Sequence, residues 1–162
     1  MWIVYLIASG VIIYGITKWV LPKKEHDKLY ELIEIQYTKG SDTRKVFDLI
    51  NETRQAHDLP ILKADGEMSI LATRRNKEMI ADDEVSHKGA SDEIARVLLN
   101  GADKVSEIIG FKYKTPEACV RAWIKSERHG LQILDVDFDY CGVSVETNKK
   151  NEKFYCVLFG NE

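Results

Sequence analysis

The sequence predicts an α+β domain, a three-layer α/β/α sandwich around a small antiparallel sheet, preceded by an N-terminal transmembrane helix. Three observations carry this. Several segments repeat apolar residues at three-to-four spacing, the mark of helices with one core-facing stripe. Two late segments, Phe138 to Glu146 and Lys153 to Phe159, read as strands joined by the turn-rich Thr147-Asn148-Lys149-Lys150-Asn151, and so as a hairpin. The second strand, Phe154-Tyr155-Cys156-Val157-Leu158-Phe159, is apolar on both faces, which an antiparallel strand shows when helices cover both.

The first element is the apolar run from Trp2 to Leu21, in which Lys18 is the charged residue. About 20 apolar residues span a bilayer, and Lys18 lies close enough to the end to snorkel. A cleaved signal peptide fits less well, because no basic region precedes the run and no small-x-small site follows it. Residues 1–22 are therefore read as an anchor that is retained, residues 23–42 as a stalk or solvated linker, and residues 43–162 as the domain. Lys18, Lys23, Lys24 and Lys28 all follow the run and no Lys or Arg precedes it, which by itself points the domain into the cytoplasm.

Lys39-Gly40-Ser41-Asp42 breaks the stalk pattern, and Ser41 or Asp42 can cap a helix from Thr43 to His57 with the stripe Val46, Phe47, Leu49 and Ile50. A second helix, Gly66 to Ala81, turns Met68, Leu71, Ala72 and Met79 inward and Arg74, Arg75, Lys77 and Glu78 outward. The polar loop Asp82 to Gly89 holds His87, and Ser91 caps a short third helix ending at Asn100-Gly101. Thr115 caps a further helix, with Pro116 in its first turn and Glu117 favoured by the dipole. Its stripe is Cys119, Val120, Trp123 and Ile124, followed by Ser126 and His129, which can share one helical surface. Read from spacing alone, that pair fits a capping Ser and a surface His better than a polar site.

The net charge is −3 with acids and bases interspersed, so the chain lacks the basic footprint of nucleic-acid binding. Cys119, Cys141 and Cys156 form no CxxC pair. Cys141 and Cys156 either face each other across paired strands as a disulfide or are buried thiols acting as small hydrophobes. Of the four histidines, His26 lies in the stalk and His57 closes a helix at its negative end, leaving His87 and His129. Glu107 is the carboxylate in the most apolar setting, so its burial requires partners or a shifted pKa. Two imidazoles and a carboxylate suit a Zn²⁺ site with an open fourth position. Asp135-x-Asp137-x-Asp139 suggests a calcium loop, but Tyr140 stands where that loop needs Gly, and the acids read better as a solvated strand entry.

Between Thr43 and Gly160 the order of residues resembles the CAP superfamily of cysteine-rich secretory, antigen 5 and pathogenesis-related proteins (SCP-like), in its compact bacterial form. Asn51 and Arg54 match N-x-x-R; Leu59, Leu62 and Asp65 match L-x-x-L-x-x-D; Ser86-His87 matches the loop S-H. Glu107 stands where the family has G-E-N-I, Trp123, Ser126 and His129 match W-x-x-S-x-x-H, and Phe138 with Cys141-Gly142-Val143 match the strand motif. The resemblance implies a CAP-type sandwich and a cleft of two His and two acids able to hold Zn²⁺ or another divalent cation, here His87, Glu107 and His129. Ser126 replaces the acid of the animal and plant motif W-x-x-E. It also implies an extracytoplasmic domain, against the charge rule, and the outer face is the expectation retained.

The function expected is a membrane-anchored module that binds a small molecule, lipid, peptide or partner protein, with no nucleic acid. The rival is a peptidase or esterase whose catalytic candidates are Glu107, Ser126 and His129, with Ser126 or a metal-bound water as nucleophile.

Overall fold

In a computed structural model, residues 37–91, 94, 97 and 101–161 are described. The expected transmembrane helix and most of the stalk lie outside them. Among the described residues no helix is long and apolar enough to cross a membrane.

The chain enters helix α1, Asp42–Gln55, where the Ser41 hydroxyl accepts from the Arg44 amide as N-cap. A two-residue strand β1, Lys63–Ala64, leads into helix α2, Gly66–Asp82, capped by Asp65. Ala90, Ser91, Ile94 and Val97 are helical, so the third helix is already under way at the expected cap Ser91. Strand β2, Val105–Phe111, is followed by helices α3, Pro116–Lys125, and α4, Glu127–Ile133. Strands β3, Tyr140–Thr147, and β4, Lys153–Gly160, form the expected hairpin.

The sheet order is β1-β3-β4-β2. It is mixed rather than antiparallel, since β1 runs parallel to β3 while β3 and β2 flank β4 in antiparallel register. β2 escapes an alternation reading because it is buried on both sides in its middle and carries a charged residue there.

Strand β4 divides the core with period two. Tyr155, Val157 and Phe159 join Val46 and Ile50 of α1 and Trp123 of α3 on one face; Cys156 and Leu158 join Met68, Leu71 and Ala72 of α2 on the other. Helix α2 lies directly on β3, because a Cβ at Gly142 would run into the backbone of Met68 and Ser69.

Two further expectations change. The single helix from Thr115 breaks at Ser126, which takes φ −86 and ψ 117 and serves as end of α3 and start of α4. Continuing the stripe of Cys119, Val120 and Trp123 would bring Ser126 and Glu127 inward, so burial gains nothing from a straight helix. Ile124, expected in the stripe, is 40% exposed. For Cys141 and Cys156 the buried-thiol alternative holds rather than the disulfide: Cys141 pairs with Phe159 and Cys156 with Ser144, so the register separates them. Burial pushes the Cys141 thiol up to about 12.

Arg54, wholly buried at the end of α1, fastens the loops around it. Its guanidinium donates to the carbonyls of Pro60, Ile133, Asp135 and Phe138 at 2.8–3.2 Å. One turn earlier, Asn51 pairs with both the amide and the carbonyl of Leu62.

Candidate functional site

The site forms where two charges meet inside the layer between α2 and the sheet. Arg75 occupies a stripe position of α2, one turn after Leu71 and one before Met79, and its side chain is 1% exposed. The outward placement expected for it is corrected. An arginine on an apolar stripe needs a buried partner, and β2 supplies Glu107, whose side chain is 2% exposed. Arg75 Nε donates to Glu107 Oε2 at 2.9 Å.

The other nitrogens of Arg75 hold the loop that follows α2. Nη1 donates to Glu78 Oε2 at 2.8 Å and Nη2 to the carbonyl of Ser86 at 3.0 Å. Gly89 closes the loop at φ +86, where a Cβ would stand 3.2 Å from Arg75 Nη1. Burial works against the guanidinium charge, but Glu107 and Glu78 outweigh it and raise the Arg75 pKa. Its positive charge is permanent.

With Ser86 fixed, His87 turns its Nδ1 to within 2.8 Å of Glu107 Oε1. Glu107 therefore contacts Arg75 through one oxygen and His87 through the other. Against this carboxylate a neutral His87 carries its proton on Nδ1 and leaves Nε2 as an acceptor. The Cys156 thiol lies 3.8 Å from Glu107 Oε2 and faces the same pair.

His129 belongs to α4, which is tied to β2 by the hydrogen bond between Gln132 and Ser106. Burial, the positive charge of Arg128 and the neighbouring His87 lower its pKa, so the neutral imidazole is favoured. Ser126 stands at the break between α3 and α4, and its side chain forms no capping hydrogen bond. Thus Glu107 and His87 are in contact, and His129 is an electrostatic neighbour of His87. Among the described residues, no three His, Cys, Asp or Glu side chains form a group that could hold a metal ion. Asp135 and Asp137 pair with Lys104, in line with a strand entry rather than a calcium loop.

A cleft of about 250 Å³ opens between the end of α2 and the loop, lined by Arg75, Glu78, Met79, Asp82, Ser86 and Gly89 among others. Arg75 thus faces both the cleft and the carboxylate. It is the residue of this site that helical patterning missed, and the available signal was its position on the Leu71–Met79 stripe.

The described residues thus form a mixed four-stranded sheet packed against helices. The chain belongs to CAP, the cysteine-rich secretory protein family, whose sequence pattern matches residues 47–159. It is similar in fold to an outer surface protein of Borrelia burgdorferi, with TM-score 0.69 and 20% identity over 75% of this chain and 92% of that one. An extracellular protein containing an SCP domain from Bacillus anthracis gives TM-score 0.67 and 24% identity over 93% of this chain and 46% of that one. In sequence it is 30% identical over 104 residues to the uncharacterized protein YkwD of Bacillus subtilis, covering 62% of this chain and 40% of the relative. An uncharacterized membrane protein of the same organism, YlbC, is 23% identical over 83% of this chain and 39% of its own length. The chain thus spans about two fifths of the length of these curated relatives.

Proposed function

We propose that this CAP domain is a binding module, anchored by Trp2 to Leu21 with the domain on the outer face of the membrane, and that His87 with His129 takes a divalent cation such as Zn²⁺, the coordination being completed by groups outside the chain's own His, Cys, Asp and Glu side chains. The observation that carries this is the bond from His87 Nδ1 to Glu107 Oε1. A metal-ligating histidine usually gives its other N–H to a carboxylate, which fixes the ring and raises the basicity of the remaining nitrogen. His87 has this backing, and its side chain is 42% exposed, so Nε2 is accessible to a ligand. Imidazole nitrogens suit Zn²⁺.

Glu107 fits this assignment as the support of His87 rather than as a ligand. Both its oxygens are engaged, one by a permanent cation, and a dication on Oε2 would stand against the Arg75 guanidinium. The bound cation would supply Lewis acidity and coordination sites for a ligand; the chain's own residues orient His87 and order the loop. The extracellular Bacillus anthracis protein and the membrane protein YlbC support the assigned compartment.

Calorimetry on the purified full chain tests the cation. Zn²⁺ is expected to bind at one per chain, and His87→Ala and His129→Ala each to abolish it. Absence of binding, or binding indifferent to both substitutions, sinks the cation assignment. A reporter fused after Glu162 tests the compartment, and signal confined to the cytoplasm overturns it.

A further inference from the structure

We infer that the outer edge of β2 is a docking site for an extended acidic peptide, which adds to the sheet as a further strand along Glu107 and Ile109. This rests on the binding-module reading and names its partner; it does not depend on the cation.

Register decides which backbone groups of β2 face outward. β2 is the last strand of the sheet, with β4 on one side and, among the described residues, no strand on the other. In an antiparallel pair, alternate residues spend both backbone groups on the neighbouring strand. The Lys112 amide donates to the Lys153 carbonyl at 3.0 Å, and counting back by twos along the register assigns Gly110, Ile108 and Ser106 to β4. Glu107 and Ile109 therefore turn their backbone groups away from the sheet. Ile109 shows this directly, since its carbonyl accepts from Trp123 Nε1 of α3 at 2.9 Å. Among the described residues nothing pairs with the amide and carbonyl of Glu107 or with the amide of Ile109.

The opposite edge is closed by this same fold. β3 also turns alternate groups outward, and there the Asp65 amide donates to the Cys141 carbonyl, Tyr37 Oη accepts from the Val143 amide and Thr43 Oγ1 from the Val145 amide. An edge left without such partners is a template for another strand. Solvent meets β2 there through its backbone: Glu107 is 6% exposed as a residue, while its side chain, held by Arg75 and His87, is 2% exposed. Ile109 beside it is half-buried.

The surroundings select the occupant. His87 stands on the α2 side of β2, bonded to Glu107, and α4, tied to Ser106 through Gln132, carries His129 on the other side. His129 feels the positive charge of Arg128, and the carboxylate of the edge is already neutralised by Arg75. A strand laid along Glu107 therefore enters between two imidazoles and near a guanidinium, where an acidic side chain finds donors and no competing free carboxylate. A second copy of the chain would set Arg128 and the histidines against their own counterparts, which the same charges disfavour. Because Trp123 takes the Ile109 carbonyl, the docked strand bonds the amide and carbonyl of Glu107 and the amide of Ile109, and every second amide of the peptide points away from β2.

The probe is a short peptide of alternating Thr and Val with a central Glu, blocked at both ends and titrated calorimetrically into the full chain in detergent with a metal chelator present. It is expected to bind at least about tenfold more tightly than the same peptide with a central Lys. N-methylation of alternate amides reads the geometry: one set is expected to weaken binding at least about tenfold and the other to leave it unchanged. Amide exchange followed by NMR should show Ile108 and Gly110 protected in the free chain, and Glu107 and Ile109 protected when the peptide is added. Ile109→Pro removes an outward donor and no bond to β4, and should weaken the peptide. If that variant does not fold, the methylated peptides carry the test, since they leave the chain unaltered. No binding of the Glu peptide, or equal affinity for the Lys peptide, overturns the inference. Binding that is indifferent to both methylated sets keeps the binding module and overturns the strand edge. Protection of Glu107 and Ile109 that rises with chain concentration and not with peptide means that a second copy pairs there, and overturns the peptide assignment.

Discussion

Arg54 and Arg75 are both almost fully buried arginines, and the regions they organise differ in what satisfies them. Arg54 donates to four backbone carbonyls and joins the end of α1 to the loop at Pro60 and the segment from Ile133 to Phe138. Arg75 donates to two carboxylates and one carbonyl, and joins α2 to β2 and the His87 loop. Burial lowers the pKa of Arg54, and nearby negative groups do not fully offset it; at Arg75 the carboxylates reverse the direction. Backbone acceptors make a joint that any side-chain sequence around it can use. Carboxylate acceptors make a site, because the second oxygen of Glu107 remains to orient another group.

The largest expected effect tests the structural arm. Arg54→Met leaves four carbonyls, two of them buried, without their donor and is expected to cost roughly 3–4 kcal/mol in urea unfolding. No second side-chain substitution should recover it, since the acceptors are backbone. A cost below about 1 kcal/mol would show that water or a loop shift replaces the fork.

Arg75→Met is next, at roughly 3 kcal/mol, because it strands a buried carboxylate. Here recovery is expected: adding Glu107→Gln removes the stranded charge, and the double variant should be more stable than Arg75→Met by at least about 1 kcal/mol. Strict additivity of the two substitutions would break the distinction drawn between the arginines.

The smallest effect lies at the rim of the Arg54 region. Burial disfavours ionised Asp135, but the ammonium of Lys104 and the amide of Asp137 outweigh it and hold its carboxyl below the usual range. A depressed carboxyl stabilises the fold above its unfolded pKa, and the contribution disappears as pH falls through the folded pKa. Asp135→Asn should therefore cost up to about 1 kcal/mol at pH 6 and nothing near pH 2, read from thermal midpoints across that range. An equal cost at both ends would mean that the charge of Asp135 is irrelevant.

The positions of α1, α2 and α3 were legible because caps and stripes are local: Ser41 and Thr115 cap α1 and α3, and the stripe Met68, Leu71, Ala72 and Met79 marks α2, whose cap Asp65 the structure adds. The covered faces of β4 were legible for the same reason, as a strand needs both faces apolar to sit between layers. His87, Glu107 and His129 stood out by residue type and order. The break at Ser126 and the two-residue strand β1 were not legible, since each depends on what packs against it rather than on its own residues.

Arg75 shows where the boundary falls. Its place on the Leu71–Met79 stripe points inward and its charge points outward, and no local rule ranks the two. Glu107 poses the converse problem, a carboxylate in an apolar run. The sequence by itself determined the family, the helices and the chemical kinds available to the cleft. Only the tertiary structure decided that the two misplaced charges neutralise each other, leaving His87 oriented and Glu107 engaged. Burying one of these charges is favourable only when the other arrives across 32 residues of chain, and that meeting is a property of the packed layers.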